Sequence, residues 1–144
     1  MFEGRIVVTG GCTHDDDLNA VEAYDHVTDT WSPMPGMIER RRRHKMVARK
    51  NKFFVFLGYD TTNCEVYDSA CGEFVLLKLP SIEIFNGFAD TICDVVAVGN
   101  RLVIFGADEE KILFYDVEND AWSVEECDAL RERGDYRCAK LIQL

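Results

Sequence analysis

The feature that most constrains this chain is a short pattern that occurs three times along its 144 residues. Each copy has a Tyr-Asp pair and a second large aromatic residue seven positions after the tyrosine. The aromatic pairs are Tyr24 with Trp31, Tyr67 with Phe74, and Tyr115 with Trp122. A glycine precedes each copy at a spacing of 48 residues: Gly10, Gly58 and Gly106. A repeat of this period predicts several copies of one supersecondary unit, packed side by side.

The repeated unit predicts a β-hairpin. Val21-Glu22-Ala23-Tyr24 alternates apolar and polar residues, as a half-buried strand does, and the aspartate that follows can bond to the next backbone amides. The position five residues after each tyrosine is suited to the left-handed turn conformation, and there the three copies carry Asp29, Gly72 and Asp120. The second aromatic residue then starts the return strand. Because the six aromatic residues recur in register, we expect all of them in the core.

Each hairpin is preceded by a continuous apolar run that ends in glycine. These runs are Arg5 to Gly10, Phe53 to Gly58 and Leu102 to Gly106. Continuous β-branched and aromatic runs are typical of strands buried on both faces.

The first copy resembles a kelch repeat: Ile6-Val7-Val8-Thr9-Gly10-Gly11, then Val21-Glu22-Ala23-Tyr24-Asp25, then Trp31. In the other copies Tyr59 and Ala107 replace the second glycine. The resemblance implies an all-β fold, a partial β-propeller of three kelch-type blades, each a four-stranded antiparallel sheet.

The predicted layout covers residues 1–144 as one kelch segment, with repeats at about 5–35, 37–80 and 81–123 and a closing strand at 136–144. Kelch propellers often close when the last strand completes the first blade, which leaves no free sheet edge. Three blades are too few, because propellers have about four to eight. Either this chain is part of a longer propeller, or two copies form a homodimer with a six-bladed ring.

Composition narrows the class of protein. The net charge of −10 argues against nucleic acid as a partner, and no apolar run is long enough to cross a membrane. No secretory signal is recognisable, so we expect a cytoplasmic protein with reduced cysteines. Cys64 takes the place of Val21 and Ile112 and is expected in the core. The three histidines are far apart, and we predict no metal site and no cofactor.

The most distinctive charged feature is a run of four arginines, Arg40, Arg41, Arg42 and Arg43. Residues 40–52 hold eight of the sixteen cations and no acid. One interpretation is a solvated basic loop, or a loop whose arginines pair with Glu39 and with the acidic loops of neighbouring blades. The other is a surface that recognises anions, since the arginine fork binds carboxylates bidentately. We predict that Tyr59, Asp60 and Asn63, in the loop after the next strand, join that surface, and that His44 bonds to backbone between blades.

These features favour a protein-binding module and not an enzyme, with a protein or an acidic peptide as partner. The kelch resemblance implies substrate recognition for a cullin-based ubiquitin ligase, through a BTB domain that these residues do not contain. It also implies actin binding as an alternative. A kelch-type oxidase with a copper site is a weaker alternative, because no convincing Tyr, Cys and His ligand set is present.

Overall fold

The computed structural model describes residues 1–58, 61–80, 92–106 and 111–126. These residues form strands and turns, and among them no helix is long and apolar enough to cross a membrane. The strands are β1 (Ile6–Thr9), β2 (Val21–Asp25), β3 (Thr30–Met34), β4 (Lys45–Arg49), β5 (Lys52–Gly58), β6 (Thr61–Asp68), β7 (Glu73–Leu76), β8 (Ile92–Val98), β9 (Arg101–Gly106), β10 (Lys111–Asp116) and β11 (Ala121–Glu126).

The strands form three antiparallel sheets, which we call the first, second and third blades. Their strand orders are β1-β2-β3, β4-β5-β6-β7 and β8-β9-β10-β11. The prediction of an all-β fold made of kelch-type blades is confirmed. The chain divides into two compact units, residues 1–78 and 79–144, so the first two blades belong to one unit and the third blade to the other. The predicted closing strand, 136–144, lies outside the described residues.

The register of the ladders shows which residues are equivalent in the three blades. Ile6 is opposite Tyr24, Phe53 is opposite Tyr67, and Leu102 is opposite Tyr115. Ile6 and Phe53 are therefore 47 residues apart, and Phe53 and Leu102 are 49 residues apart. The three glycines, in contrast, are separated by 48 residues in both steps. The difference arises because Leu57, and not Gly58, is the counterpart of Gly10. Phe56 is opposite Cys64 as Thr9 is opposite Val21, and the residues that follow, Leu57 and Gly10, have φ values of 48° and 58°. Gly58 is therefore the counterpart of Gly11, and the even glycine spacing does not follow the structural repeat.

The first two blades pack face to face around one apolar cluster. Its buried members are Phe2, Val21, Met37, Phe53, Val55, Tyr67 and Phe74, and Val7 packs against it. The rings of Phe53 and Tyr67 stack at 4.9 Å, and Phe2 meets the Phe53 ring edge-on at 5.1 Å. Since Val7 and Val21 lie on one side of the first blade, that side is the one that faces the second blade.

The hairpin turns form as the sequence predicts. Asp29, Gly72 and Asp120 all have positive φ, between 49° and 73°. The carboxylate of Asp116 accepts bonds from Glu118 N and Asn119 N at 2.9 and 3.1 Å. Where the turn residue is aspartate it also accepts the tyrosine hydroxyl: Tyr115 Oη lies 2.7 Å from Asp120 Oδ1. Burial and this bond together raise the pKa of Tyr115.

The aromatic pairs stay together in all three hairpins, with ring centroids 5.1, 5.3 and 4.8 Å apart. Their burial differs, however. Tyr67, Phe74 and Tyr115 are buried, whereas Trp31 is 54% exposed. The prediction that every member is a core residue is therefore wrong for Trp31, because no described element covers its side of the first blade.

Candidate partner-binding surface

The segment that joins the first two blades, residues 37–44, carries the four arginines and is called the arginine linker below. Backbone hydrogen bonds fix it to the first blade. Met37 N donates to Asn19 O at 2.9 Å, and Arg41 N donates to Leu18 O at 2.8 Å. The carbonyl of Arg41 accepts Gly11 N, also at 2.8 Å. The linker is thus held at several points along its length.

The Gly10-Gly11 pair lets the linker approach the end of β1 closely. Gly10 has a φ of 58°, and a Cβ there would overlap the carbonyl oxygen of Arg41 and come within 2.8 Å of His44 Cε1. Only glycine fits without displacing the linker. The glycine pair that carries the sequence resemblance is therefore a site of contact between one blade and the segment leading into the next.

Arg41 is completely buried. Its Nε and Nη2 atoms donate to Glu65 Oε1 at 3.0 and 2.8 Å. Its Nη1 atom donates to two backbone carbonyls, Leu57 O at 3.0 Å and Asn63 O at 2.6 Å. A buried charge is tolerated when it is paired and hydrogen-bonded in this way. Arg41 therefore acts as an anchor for the linker.

Glu65, the buried partner of Arg41, also fixes the linker backbone. Its carboxylate accepts Ile38 N at 2.6 Å and Glu39 N at 3.0 Å, in addition to the two bonds from Arg41. Glu39 in turn accepts the side-chain amide of Asn63 at 2.6 Å. One carboxylate on β6 thus determines the path of the segment that leads into its own blade.

Two of the predicted partner-binding residues need correction. Arg41 is not on a surface, because its guanidinium is fully enclosed by Glu65 and backbone carbonyls. Asn63 lies in β6 and not in a loop, and its side chain is bonded to Glu39. Sequence reasoning missed Glu65. The available signal was the glutamate shared by Val21-Glu22-Ala23-Tyr24 and Cys64-Glu65-Val66-Tyr67.

The other three arginines have side chains that reach solvent. Arg40 Nη1 lies 3.9 Å from Asp16 Oδ1, and the two side chains are 62% and 72% exposed. Arg42 and Asp17 are 3.4 Å apart, with side chains 39% and 26% exposed. Arg43 is exposed, and in the part of the chain that the structure describes it has no ion pair. The interpretation that the arginines pair with Glu39 and an acidic loop thus holds for Arg40, Arg41 and Arg42, and Arg41 lies 3.5 Å from Glu39.

His44 closes the linker against the first blade. Its Nε2 atom lies 2.7 Å from the hydroxyl of Thr9, the last residue of β1. The predicted link between blades is present, and it includes this contact with the Thr9 side chain. Burial, reinforced by the charge of Arg41, holds the pKa of His44 below its usual value. His44 is therefore neutral at pH 7.

Tyr59 and Asp60, the remaining predicted surface residues, lie outside the described residues. Cys64 is buried as predicted, and burial raises the pKa of its thiol to about 12. Within the described ranges, no group of three or more His, Cys, Asp or Glu side chains is placed to hold a metal ion.

Sequence comparison with known proteins agrees with the assignment of these blades as kelch-type repeats. The Kelch motif family matches residues 1–38. Kelch-like protein 7 of Rattus norvegicus and of Mus musculus are each 30% identical over 114 residues, which is 73% of this chain and 18% of theirs. Kelch-like protein 40 of Xenopus tropicalis is 29% identical over 86 residues. This chain thus spans less than a fifth of the length of its kelch-like 7 relatives.

Among solved structures, YjhT is similar in fold, with a TM-score of 0.69 at 12% identity over 94% of this chain and 52% of the YjhT chain. The fold and the linker together define the class of protein: a β-propeller segment built from repeated antiparallel blades. The sequence matches specify it further, and the chain is a kelch-repeat protein.

Proposed function

We propose that this chain is a protein-interaction module that binds an acidic segment of another protein at the arginine linker. The observation that supports the proposal is that the four arginines differ in burial. Arg41 is paired with Glu65 inside the fold and fixes the backbone, whereas the side chains of Arg40 and Arg43 are exposed and that of Arg42 is half-buried. Cations on a rigid support lose less conformational entropy when they bind a ligand.

The present partners of these arginines are weak competitors for such a ligand. The Arg40–Asp16 pair lies at 3.9 Å and is open to solvent, and the Arg42–Asp17 pair at 3.4 Å is half-buried. Exposed pairs of this kind contribute about 0–1 kcal/mol. An incoming carboxylate that binds an arginine fork bidentately can replace them at little cost, and it would find Arg43 already exposed.

We further propose that the bound protein is a substrate presented to a cullin-based ubiquitin ligase in the cytoplasm. The similarity to kelch-like proteins supports this proposal, and the ligase contacts would come from a BTB domain in another part of the protein. The module has a binding role and no catalytic role in this proposal. If the partner is actin instead, the purified chain will sediment with actin filaments.

The test is the affinity of a fluorescent peptide rich in Asp and Glu, measured by polarisation over a salt series. The variant Arg40→Ala/Arg43→Ala should bind about 10-fold or more weakly, because it removes the two exposed arginines of the linker. Affinity should also fall with salt, as expected for exposed charges. Lys111→Ala is the matched control, since it removes an exposed cation from β10.

The proposal fails if the double variant binds the peptide as tightly as the unmodified chain does. Equal urea midpoints for both proteins would show that the fold is intact. Equal losses in the double variant and in Lys111→Ala would also contradict it, since they would indicate attraction to net charge and not to this surface.

A further inference from the structure

The connection between the first two strands of the first blade is longer than the fold requires. Eleven residues separate β1 from β2, compared with two between β5 and β6 and four between β9 and β10. Two residues are therefore enough to join the equivalent strands of a blade, as they are in β-hairpins generally. The longer connection carries three consecutive aspartates, Asp15, Asp16 and Asp17. Because these residues are not needed to join the strands, they are available for another role.

Part of this connection folds into a small hairpin of its own, residues 12–17, which we call the acidic hairpin. Cys12 and Asp17 form an antiparallel bridge at its base. Closer to its tip, Thr13 N donates to Asp16 O at 2.8 Å, and Asp16 N donates to Thr13 Oγ1 at 3.1 Å. The backbone and one threonine hydroxyl thus determine the shape of the hairpin, and the carboxylates of Asp16 and Asp17 make none of these bonds.

The backbone of one linker residue fixes the acidic hairpin to the arginine linker. Gly11 and Leu18 flank the hairpin, and Leu18 N donates to Gly11 O at 2.9 Å. Gly11 N also donates to Arg41 O, and Arg41 N donates to Leu18 O, both at 2.8 Å. Arg41 is in turn anchored by the buried Glu65. The hairpin therefore cannot move away from the linker without breaking backbone bonds, although its side chains can.

The carboxylates of the acidic hairpin lie against two of the four linker arginines. Asp16 Oδ1 is 3.9 Å from Arg40 Nη1, and Asp17 Oδ1 is 3.4 Å from Arg42 Nε. Arg40 Nη1 also lies 3.4 Å from the backbone carbonyl of Asp17. Two adjacent acidic residues of the chain thus make with the arginines the kind of contact that an acidic segment of a partner would make.

We propose that the acidic hairpin is an internal ligand of the arginine linker, and that a partner has to displace its carboxylates in order to bind. This inference rests on the proposed function, because it concerns the regulation of the same surface. A tethered ligand is present at a high effective concentration, so the hairpin lowers the affinity of the linker for every external carboxylate. Such a competing contact also increases specificity, because weakly acidic segments are excluded.

The internal ligand also indicates the chemistry of the external one. Adjacent carboxylates, from Asp16 and Asp17, reach arginines that are two positions apart in the linker, Arg40 and Arg42. A partner segment with two neighbouring acidic residues can replace both contacts at once. A segment whose acidic residues are far apart can replace only one of them. The class of ligand is therefore a peptide segment that carries a pair of neighbouring carboxylates.

The test removes the internal carboxylates and measures the affinity for two fluorescent peptides by polarisation. Both peptides have the same composition, and their two aspartates are either adjacent or separated by four Gly or Ser residues. Asp16→Asn/Asp17→Asn should bind the adjacent peptide about 3- to 10-fold more tightly than the unmodified chain does, since each lost pair is a weak one. The gain for the separated peptide should be about 2-fold or less. Both gains should disappear at high salt.

Two controls separate loss of these contacts from a change in net charge. Asp15→Asn removes a carboxylate from the same hairpin, and Asp15 has no ion pair among the residues that the structure describes. Glu125→Gln/Glu126→Gln changes the net charge as much as the test variant does, at two exposed positions of β11. Neither control should raise the affinity by more than about 2-fold. Equal urea midpoints of the test variant and the unmodified chain would show that the fold is intact.

A second measurement needs no peptide. Phenylglyoxal reacts with the deprotonated guanidine, and a paired carboxylate favours the charged form. Arg40 and Arg42 should therefore react faster in Asp16→Asn/Asp17→Asn than in the unmodified chain, and Arg43 provides the internal reference. Peptide mapping by mass spectrometry gives the rate at each arginine. Unchanged rates at Arg40 and Arg42 would overturn the proposed occupation of these side chains.

The outcomes distinguish this inference from the proposed function. If the unmodified chain binds the adjacent peptide and the test variant binds it no more tightly, only the internal ligand is refuted. A gain as large in Glu125→Gln/Glu126→Gln would also refute it, because net charge would then explain the change. If neither the unmodified chain nor the test variant binds the peptide, the proposed function fails and this inference fails with it.

Discussion

Replacing Arg41 by methionine should destabilise the unit that contains the first two blades, although the arginine lies in a connecting segment. The change removes the two bonds that Glu65 receives from the guanidinium, and it leaves a fully buried carboxylate with only two backbone amides. It also leaves the carbonyls of Leu57 and Asn63 without their donor. Removal of one partner of a buried ion pair costs about 3–5 kcal/mol.

That loss is large compared with the total stability of a domain, which is about 5–15 kcal/mol. With a urea m-value of about 2 kcal/mol/M, the unfolding midpoint should fall by roughly 2 M. The measurement is urea unfolding followed by circular dichroism and tryptophan fluorescence. A fall in the free energy of unfolding of less than about 0.5 kcal/mol would refute the reasoning.

The control removes both charges. In Arg41→Met/Glu65→Leu the carboxylate is replaced by the residue that the third blade carries as Leu113 at the equivalent position. Replacement of a buried ion pair by apolar residues is often neutral or stabilising, so this variant should recover most of the lost stability. If the double variant is as unstable as the single one, the cost arises from lost packing and not from the unpaired carboxylate.

Three further predictions concern the same region. Gly10→Ala should lower the free energy of unfolding by about 1–3 kcal/mol, because the added Cβ would overlap the carbonyl of Arg41. Gly4→Ala is the control and should lower it less, because no atom lies within 4 Å of a Cβ at that position. Urea unfolding of both variants measures the difference. Because the pKa of His44 is lower in the folded chain, the unfolded chain takes up a proton at this histidine more readily. The free energy of unfolding should therefore fall as the pH drops below the unfolded pKa of about 6.5. Urea midpoints from pH 7.5 to 5.5 should show this fall, and His44→Gln should reduce it. Burial raises the pKa of the Cys64 thiol to about 12, so Cys64 should resist iodoacetamide at pH 8 until the chain unfolds. Peptide mapping that shows labelling of Cys64 in the folded chain would contradict this prediction.

Much of the fold could be predicted from sequence because its signals are local. Alternation of apolar and polar residues places β2, and the glycine-ended apolar run from Leu102 to Gly106 lies within β9. The left-handed residues of the hairpin turns are also determined by neighbours in the chain, through aspartate and glycine chemistry. Each of these features depends on fewer than about ten consecutive residues.

The role of each arginine depends on contacts that no local pattern contains. Four consecutive arginines have the same chemistry, but only Arg41 points to Glu65, 24 residues further along the chain. The correspondence of Leu57 to Gly10, which the even glycine spacing conceals, likewise follows from the ladder.

By itself, the sequence determined three tyrosine-led hairpins, the glycine-terminated strands before them and hence the kelch blades, because backbone propensity and residue periodicity act over short distances. Only the tertiary structure decided that Arg41 is an internal anchor and that Trp31, in register with the buried Phe74, is exposed. Burial depends on which other element covers a side chain, and that element is distant in sequence.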